Sequence, residues 1–224
     1  FAGSKALESM GIKTDRTGFD YSKVYEKSRQ SADRLSKGVG FLLGKNKADV
    51  IKGTAVLEGV NTLKIDGGRI INSKHIIIAS GSSPRDINSF RFDHEFILSS
   101  DDMLNLKKLP KSLAVLGAGA IGTEFAFIMS SFGVEVHLIE IMDKILPFTD
   151  KEISDSAARA FRKNKINMYT SAKAVECMRD KDSLVLKIEQ NGQLKEIRAE
   201  KILVSAGRKP NIESIGLENA GGFR

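Results

Sequence analysis

One glycine-rich segment constrains the fold of this chain more than any other feature of its sequence. The segment Leu113-Ala-Val-Leu-Gly117-Ala-Gly119-Ala-Ile-Gly122-Thr-Glu124 carries the pattern G-x-G-x-x-G between an apolar run and a helix-forming run. In a strand–turn–helix unit the first glycine permits a tight turn, the second lets a pyrophosphate approach the backbone, and the third lets the helix pack closely on the strand. The helix N-terminus then offers free N–H groups to the phosphates. The segment therefore predicts a dinucleotide-binding βαβ unit.

An acidic residue follows at the position that such a unit requires. Glu140 ends the run 135–140 and lies 18 residues after Gly122, close to the usual spacing of about 20 residues. A carboxylate there accepts hydrogen bonds from the adenine-ribose hydroxyls and repels a 2′-phosphate. The residues that follow, Ile141-Met-Asp-Lys144, contain no arginine cluster for that phosphate. The sequence favours NAD over NADP, and it disfavours the alternative of a glycine-rich turn that binds nothing.

The composition excludes several other kinds of protein. With 41% apolar and 28% charged residues among 224, the chain is typical of a globular protein. The net charge of +7 is spread thinly and lacks a basic stripe interleaved with aromatic residues, so we expect no nucleic-acid partner. No apolar run approaches the ~20 residues of a membrane helix, and the first residues do not resemble a signal peptide. We therefore expect no membrane partner.

The sulfur and imidazole side chains give no sign of catalysis or metal binding. Cys177 is the single cysteine, which excludes an intrachain disulfide and a C-x-x-C pair. It lies in an amphipathic run without a nearby histidine, so we expect a filler of the core or surface and not a nucleophile. His75, His94 and His137 are scattered and lack metal-ligand spacing. Glu124, near the predicted helix start, is interpreted on spacing alone as stabilising the helix dipole.

Hydropathy patterns predict an alternation of helices and strands. An amphipathic pattern predicts one long helix over 20–44, and strand patterns surround the turn Asp66-Gly-Gly68. An uninterrupted β-branched run at 75–80 predicts a strand buried on both faces. The other predicted elements are strands at 49–57, 61–65, 69–71, 113–116, 135–140, 166–169 and 201–206, helices at 120–132 and 150–163, a short helix after Ser99/Ser100, and a meander at 174–179, 184–190 and 194–198. A capping box of Thr149 and Glu152 is predicted to open the helix at 150–163.

Further motifs follow in a fixed order along the chain. They are Ile78-Ala-Ser80-Gly81-Ser-Ser-Pro84, the glycine-rich segment, Glu140, Ile145-Leu-Pro147 with Asp150 and Glu152-Ile153, and Val204-Ser-Ala-Gly207-Arg-Lys-Pro-Asn211. Together they resemble the flavin-dependent pyridine nucleotide-disulfide oxidoreductase family, and most of all its dihydrolipoamide dehydrogenase branch. The resemblance covers essentially the whole chain. It implies an α/β fold with a Rossmann-like NAD-binding domain, built on a βαβ core and a β-meander, plus part of a FAD-binding domain.

The resemblance also assigns regions and cofactors, FAD and NAD, to the chain. Residues 1–111 are expected to be a remnant of the FAD-binding domain, 112–211 the NAD-binding domain, and 212–224 a return toward the FAD-binding domain. The residues that it implies for NAD are Gly117, Ala118, Gly119, Ala120, Ile121, Gly122, Thr123, Glu124, Glu140, Ala174 and Gly207. The residues that it implies for FAD are Ala55, Ser80, Gly81 and Ser82. Glu124 is thereby expected near the nicotinamide, and no residue receives a catalytic or metal-binding role.

The whole enzyme implied by this resemblance oxidises dihydrolipoamide to lipoamide and passes a hydride through FAD to NAD. Its expected partners are NAD(H), the lipoyl domains of a 2-oxo acid dehydrogenase complex, and a second copy of the same protein in a homodimer. The expected location is the cytoplasm of a bacterium or, in a eukaryote, the mitochondrial matrix.

The sequence departs from the family in what it lacks. It contains neither the family's first G-x-G-x-x-G with its Cys-x4-Cys pair nor the C-terminal interface domain. We therefore expect an internal piece of a longer protein that does not oxidise dithiols alone. The alternatives are another flavoprotein of the same build, such as an NADH oxidase, a mercuric-type reductase or a soluble transhydrogenase, and a non-catalytic nucleotide-binding module.

Overall fold

The computed structural model describes residues 7–15 and 17–221, which form two compact units. The first unit comprises Pro84–Gly207 and the described residues up to Lys27. The second comprises Ser28–Ser83 and the described residues from Arg208 onward. The boundaries predicted at 111/112 and 211/212 separate regions by the cofactor that each is expected to bind. The two compact units are separated by contacts within the chain, so they do not test those boundaries, which stay a prediction.

Helices and strands both occur along the described residues, and they alternate between 100 and 169. The helices are α1 (Tyr21–Lys45), α2 (Ser100–Leu104), α3 (Ala120–Ser131) and α4 (Lys151–Lys163), and a 3₁₀ turn spans Leu217–Ala220. The strands are β1 (Ala55–Gly59), β2 (Thr62–Ile65), β3 (Arg69–Asn72), β4 (Ser82–Pro84), β5 (Ile97–Leu98), β6 (Ser112–Leu116), β7 (Glu135–Ile139), β8 (Asn167–Tyr169), β9 (Ala172–Asp180), β10 (Ser183–Gln190), β11 (Gln193–Ala199), β12 (Lys201–Val204) and β13 (Arg208–Pro210). The predicted helices at 20–44, 120–132 and 150–163 are confirmed to within one residue at each end.

A parallel sheet forms the centre of the first unit, with its strands in the order β5-β12-β6-β7-β8. Helix α3 connects β6 to β7 and helix α4 connects β7 to β8, so the predicted βαβ core is confirmed. Leu113 and Val115 of β6 share a buried cluster with residues of α3 and α4, whereas Ala114 and Leu116 share one with residues of β10. Both faces of the sheet are covered, which agrees with the continuous apolar run at residues 113–116 of β6.

An antiparallel meander in the order β11-β10-β9 covers the second face of this sheet. Strands β10 and β11 pair up to Gln190 and Gln193, and Asn191-Gly192 forms the turn between them. Both turn residues have positive φ, 53° and 73°, as two-residue hairpin turns that match the strand twist require. The predicted meander, its turn and the predicted α/β class are confirmed.

The second unit contains an antiparallel sheet in the order β1-β2-β3 and a short pairing of β4 with β13. The turn Asp66-Gly-Gly68 joins β2 to β3 as predicted, and Leu57 and Ile65 are buried on the sheet. No residue of α1 is buried, although Leu35 and Phe41 are apolar. Within the described ranges, no helix is both long enough and apolar enough to cross a membrane.

The predicted strand at 75–80 is wrong. The segment lies outside every described strand, and Ile77 is 91% exposed. β-branched residues favour an extended backbone, but a strand also needs a neighbouring backbone that exchanges hydrogen bonds with it. No strand of the described residues runs beside 75–80, so the predicted burial on both faces is missing as well.

Two smaller predictions are also wrong. Strand β1 begins at Ala55 and not at 49, because Gly53 has a φ of 147° that an extended strand does not accommodate. Thr149 does not cap α4, since the N-cap is Asp150 and Thr149 Oγ1 instead donates to Leu146 O at 2.8 Å. The Thr149 hydroxyl, which the sequence predicts to cap α4, therefore forms its hydrogen bond within the preceding turn.

Leu186→Ala tests the packing of the meander on the parallel sheet. Leu186 of β10 is fully buried, so we expect its truncation to lower the free energy of unfolding by about 2–5 kcal/mol, because a cavity replaces packed methyl groups. Leu194→Ala on β11 is the matched control, since Leu194 is 67% exposed and its expected change is within about 0.5 kcal/mol. Urea denaturation followed by circular dichroism measures both variants. Equal losses would contradict the packing.

Candidate functional site

The carboxyl ends of three adjacent parallel strands meet at one edge of the central sheet. The loop after β6 contains Gly117, the loop after β7 begins with Glu140, and the loop after β12 contains 205–207. Strand β6 lies between the other two, and its onward connection runs to β7 through α3. In open α/β sheets a ligand crevice forms outside the carboxyl ends of the strands, where the connections of two neighbouring strands leave in opposite directions. A cleft of about 780 Å³ lies here and is lined by all three loops.

Gly117 in the loop after β6 and Gly122 in the first turn of α3 occupy positions without room for a side chain. Gly117 has a φ of 100°, and a Cβ added there would lie 2.7 Å from Ser205 O. A Cβ added at Gly122 would lie 1.9 Å from Gly117 O and 2.7 Å from Ser205 Oγ. Ser205 Oγ also lies within hydrogen-bonding distance of Leu116 O and Gly117 O, at 3.0 and 2.9 Å. These distances account for glycine at both positions and tie the turn to the end of β12.

Gly119 differs from these glycines because its surroundings are open. A Cβ added at Gly119 would meet no heavy atom within 4 Å, and its φ of −71° is accessible to any residue. Gly119 is the N-cap of α3, where no side chain caps the helix. The helix N-terminus therefore borders the cleft, which Gly119, Ala120 and Ile121 line. First-turn N–H groups lack intrahelical partners, so an anion in the cleft can accept from them.

The Glu140 carboxylate connects the loop after β7 to the loop after β6. Glu140 is 6% exposed and lines the cleft. Its Oε2 accepts a 2.6 Å hydrogen bond from Ala118 N–H, and its Oε1 accepts a 2.9 Å hydrogen bond from Met142 N–H. A carboxylate has about four lone-pair positions. Each oxygen of Glu140 thus has a backbone partner and keeps capacity for one further donor.

The backbone of Ala118 is the junction of three segments. Ala118 is fully buried, its N–H donates to Glu140, and its C=O accepts from Leu146 N–H at 2.7 Å. Leu146 has a φ of 49°, in the left-handed region that costs a residue with a Cβ about 1–2 kcal/mol. The hydrogen bond to Ala118 helps hold Leu146 in that conformation. The glycine-rich loop, the end of β7 and the segment before α4 are therefore coupled through one backbone unit.

The wall of the cleft is mainly apolar, with three charged residues and the uncharged polar residues Asn88, Ser89 and Ser205. The larger apolar residues of the lining are Ile87, Phe90, Leu116, Ile121, Ile139, Ile141, Met142, Pro147 and Phe148. The charged residues are Arg85, Glu140 and Lys173. Arg85 Nη2 donates to Ala206 O at 3.3 Å, and Arg85 N–H donates to Gly207 O at 3.1 Å, so Arg85 lies beside the end of β12. The cleft offers two cations and one anion to a ligand.

The structure places the residues predicted for NAD in two groups. The residues that line the cleft are Gly117, Gly119, Ala120, Ile121, Glu140, Ala174 and Gly207. Ala118, Gly122, Thr123 and Glu124 are not among its lining residues. Thr123 is buried, and its Oγ1 is 2.9 Å from both Gly119 O and Ala120 O, so the helix itself satisfies this hydroxyl. This region therefore presents backbone groups and the Glu140 carboxylate to the cleft, and not the Thr123 hydroxyl.

Glu124 lies on α3, outside the set of residues that line the cleft. It is exposed and lies beyond the first turn of α3, which contains no acidic residue. The interpretation of Glu124 as a residue that stabilises the helix dipole is therefore wrong, because that effect falls off within the first turn. Its expected place near a nicotinamide stays a prediction.

The residues predicted for FAD lie in the second unit. They are the turn at 80–82 and Ala55, which is exposed at the start of β1. Gly81 in this turn has a φ of 74°, and its C=O accepts from Asn211 N–H at 3.0 Å. Arg208 Nε donates to Ser82 Oγ at 2.8 Å. The turn is thus fixed by β13 and the residue that follows it, while its role toward FAD stays a prediction.

The cysteine lies away from the cleft. Cys177 of β9 is half-buried against the cluster beneath the meander. Burial, and next the nearby Asp93 carboxylate, raise the pKa of its thiol. The thiol therefore stays protonated near neutral pH, whereas the thiolate is the nucleophilic form. The described residues also contain no group of three or more His, Cys, Asp or Glu arranged to hold a metal ion.

Sequence reasoning missed part of the cleft. Ser205 fastens the glycine-rich turn, and Arg85 and Phe148 line the wall, yet the sequence patterns assign no role to any of the three. Two local signals were available. The apolar pair at 141–142 directly follows the acid, and a proline precedes Phe148, which indicates a turn that carries an aromatic ring.

Comparisons with known proteins relate this chain to one family. The profile of the family described as "Pyridine nucleotide-disulphide oxidoreductase" matches residues 3–223. Dihydrolipoyl dehydrogenase of Bacillus subtilis is 34% identical over 230 residues, which are 96% of this chain and 48% of that protein. Dihydrolipoyl dehydrogenase of Chlamydia pneumoniae is 36% identical over 222 residues, 98% of this chain and 47% of that protein. The chain spans about half the length of the curated relatives it matches.

Solved structures share the fold. LpdA of Mycobacterium tuberculosis has a TM-score of 0.81 at 21% identity, over 98% of this chain and 49% of that one. The HOCl-induced flavoprotein disulfide reductase RclA of Escherichia coli has a TM-score of 0.75 at 25% identity, over 91% of this chain and 46% of that one. At 21% identity, the similarity to LpdA shows a shared fold and nothing beyond it.

Gly122→Ala tests the close packing of α3 on β6. Alanine inside a helix is normally more stable than glycine by roughly 0.5–1 kcal/mol. Here the added methyl would lie 1.9 Å from Gly117 O, so we expect the free energy of unfolding to fall, by about 1–3 kcal/mol. Gly119→Ala is the control, because nothing lies within 4 Å of its added methyl and the expected change is below about 1 kcal/mol. Urea denaturation measures both, and a stabilising Gly122→Ala would overturn the packing.

Proposed function

The chain belongs to the pyridine nucleotide-disulphide oxidoreductase family, and we propose that it is the NAD-binding part of a flavoprotein that oxidises dihydrolipoamide to lipoamide. Members of this family are flavoproteins that use a pyridine nucleotide. Relatives at 34% and 36% identity are named dihydrolipoyl dehydrogenases, which supports dihydrolipoamide as the substrate over those of the other family enzymes. The proposal assigns NAD to the cleft of the first unit.

The position of Glu140 is the observation that carries the proposal. Its carboxylate is buried at the end of β7 and lines the same cleft as Gly117 and Gly119. Each carboxylate oxygen already accepts one backbone N–H and keeps capacity for one more donor. Two adjacent hydroxyls of an adenine ribose suit those two acceptor positions. A 2′-phosphate in place of one hydroxyl would be repelled, so the site favours NAD over NADP.

The remaining parts of the cleft suit the rest of NAD in spatial order. Strands β7, β6 and β12 are neighbours, so a dinucleotide that begins at Glu140 crosses the glycine-rich loop and reaches the end of β12. The pyrophosphate lies against Gly119 and the N-terminus of α3, where the backbone leaves room and offers N–H groups. The nicotinamide half lies toward Gly207 and Arg85.

FAD is the second cofactor of the proposal, and the turn at 80–82 with Ala55 is its assigned contact in the second unit. The turn has a fixed backbone, because Asn211 and Arg208 hold it by hydrogen bonds. A Cβ added at Gly81 would meet only Asn211 Nδ2, at 3.9 Å, so a ligand can approach the backbone there closely. FAD, when bound, supplies the chemistry by which dithiol electrons become a hydride on NAD.

The overall reaction balances without a further reactant. Dihydrolipoamide loses two electrons and two protons, NAD takes up two electrons and one proton as a hydride, and the second proton is released. The chain's own residues contribute to binding and orientation, since Glu140, the glycine-rich loop and α3 hold one cofactor in place. We further propose lipoyl domains of a 2-oxo acid dehydrogenase complex and a second copy of the protein as partners, and the bacterial cytoplasm or mitochondrial matrix as the location.

An assay of NAD reduction tests the proposed activity. The complete protein that carries this chain, with FAD, should form NADH from NAD when dihydrolipoamide is added, and NADH absorbance follows the reaction. A sample without dihydrolipoamide is the control. Rapid consumption of NADH by dioxygen together with no response to dihydrolipoamide would overturn the proposed substrate and favour the NADH oxidase alternative.

Glu140→Gln tests the nucleotide preference. We expect the unaltered protein to bind NADH more tightly than NADPH by about tenfold or more, since the carboxylate accepts ribose hydroxyls and repels the 2′-phosphate. Glu140→Gln should reduce that ratio, because the neutral amide no longer repels the phosphate and accepts fewer hydrogen bonds. Glu135→Gln on the same strand is the matched control, since its side chain is 62% exposed and outside the cleft lining. Isothermal titration measures both ratios, and equal affinities of the unaltered protein would contradict the role of Glu140.

A further inference from the structure

Phe148 presents an uncovered aromatic ring at the cleft. It is 96% exposed, yet it belongs to the residues that line the cleft. Phe148 occupies the third position of a β-turn in which Thr149 N–H donates to Leu146 O at 3.0 Å, and Pro147 occupies the second position that proline favours. The ring therefore projects from the tip of a turn and not from a helix or strand.

The backbone beneath this ring is held from several sides. Leu146 O accepts a second hydrogen bond, from Thr149 Oγ1 at 2.8 Å, and Lys144 Nζ donates to Thr149 O at 2.8 Å. Leu146 N–H donates to Ala118 O at 2.7 Å, which fastens the turn to the glycine-rich loop. Ser154 Oγ donates to the adjacent carbonyl of Ile145 at 2.7 Å, which fastens it to α4. A fixed backbone thus carries a ring that contacts little of the protein.

The neighbouring wall is apolar and equally uncovered. Ile141 is 65% exposed and Met142 is 48% exposed, and both line the cleft together with Phe148. Ile141 and Met142 directly follow Glu140 at the end of β7. The turn of Phe148 is fastened to Ala118, whose N–H donates to Glu140 Oε2, so the three apolar side chains line the cleft on the Glu140 side. Arg85 and Gly207 lie at the opposite, β12 end. An apolar surface beside the ribose-binding acid suits a flat, weakly polar ring attached to that ribose.

We propose that Phe148 is the stacking platform for the adenine ring of the bound dinucleotide, with Ile141 and Met142 lining the wall of the same pocket. This assignment rests on the proposed NAD site and adds to it a residue that determines affinity for the adenine end. Aromatic rings stack on every nucleobase, and the stacking contributes substantially to affinity when the ring is fixed in advance. The anchoring of the turn through Ala118 places the platform at a constant distance from the pyrophosphate loop.

Phe148→Ala tests this assignment in the complete FAD-containing protein. Isothermal titration should show the dissociation constant of NADH rising by about fivefold or more. ADP-ribose, which has the adenine, both riboses and the pyrophosphate but no nicotinamide, should lose affinity by the same factor. Phe148→Tyr keeps the aromatic face and should retain the affinity of the unaltered protein for both ligands. Thermal denaturation should show the three proteins equally stable, because the ring is exposed.

The outcomes separate failure of the platform from failure of the NAD site. If the unaltered protein binds NADH but Phe148→Ala leaves both affinities unchanged, the platform is overturned and the NAD site stands. If Phe148→Ala weakens NADH and not ADP-ribose, the ring acts at the nicotinamide end and the assignment to adenine is overturned. If the unaltered protein binds neither NADH nor ADP-ribose, the NAD site itself is overturned, and the platform with it.

Discussion

The two hydrogen bonds of the Ala118 backbone are the constraint on which the cleft depends. Its N–H donates to Glu140 Oε2 at 2.6 Å and its C=O accepts from Leu146 N–H at 2.7 Å. Ala118 is fully buried, so these bonds have no water to replace them, and a buried peptide left without partners is costly. Through the backbone of Ala118, the turn after β6, the end of β7 and the turn that carries Phe148 keep one relative arrangement. The acid that is proposed to hold a ribose is at the same time part of the frame of the loop.

Much of the first unit could be predicted from sequence because its elements find their partners nearby in the chain. The segment 112–163 forms strand, helix, strand and helix in succession, and each helix packs on the strands that flank it. Helix α1 was predictable for a related reason, since helical hydrogen bonds are internal to the segment. The run at 75–80 shows the limit of this reasoning, because a strand takes its hydrogen bonds from another segment and composition does not reveal whether that segment is at hand.

The residues of the candidate site likewise divide into those that the sequence identifies and those that only the fold brings together. Spacing identifies Gly117, Gly122 and Glu140, since one turn and one strand end fix their relative positions. Ser205 reaches the same turn from β12, and nothing local to Ser205 predicts that its hydroxyl lies 2.9 Å from Gly117 O. Thr149 has the sequence signature of a helix cap but serves the turn before the helix. Such contacts are decided by which acceptor is nearer in space, and only the folded chain specifies that.

The two backbone hydrogen bonds that Glu140 accepts limit how the nucleotide preference proposed for this cleft can evolve or be engineered. A substitution that removes the negative charge, even Glu140→Gln with its single amide oxygen, leaves the N–H of Ala118 or that of Met142 without its acceptor, so a change of preference is also a change in the support of the loop. A route to another nucleotide would therefore pass through a compensating acceptor for that N–H before, or together with, the loss of the carboxylate. The selectivity proposed for this cleft and the rigidity of its loop depend on the same carboxylate, which favours retention of the acid even where discrimination between nucleotides brings no advantage.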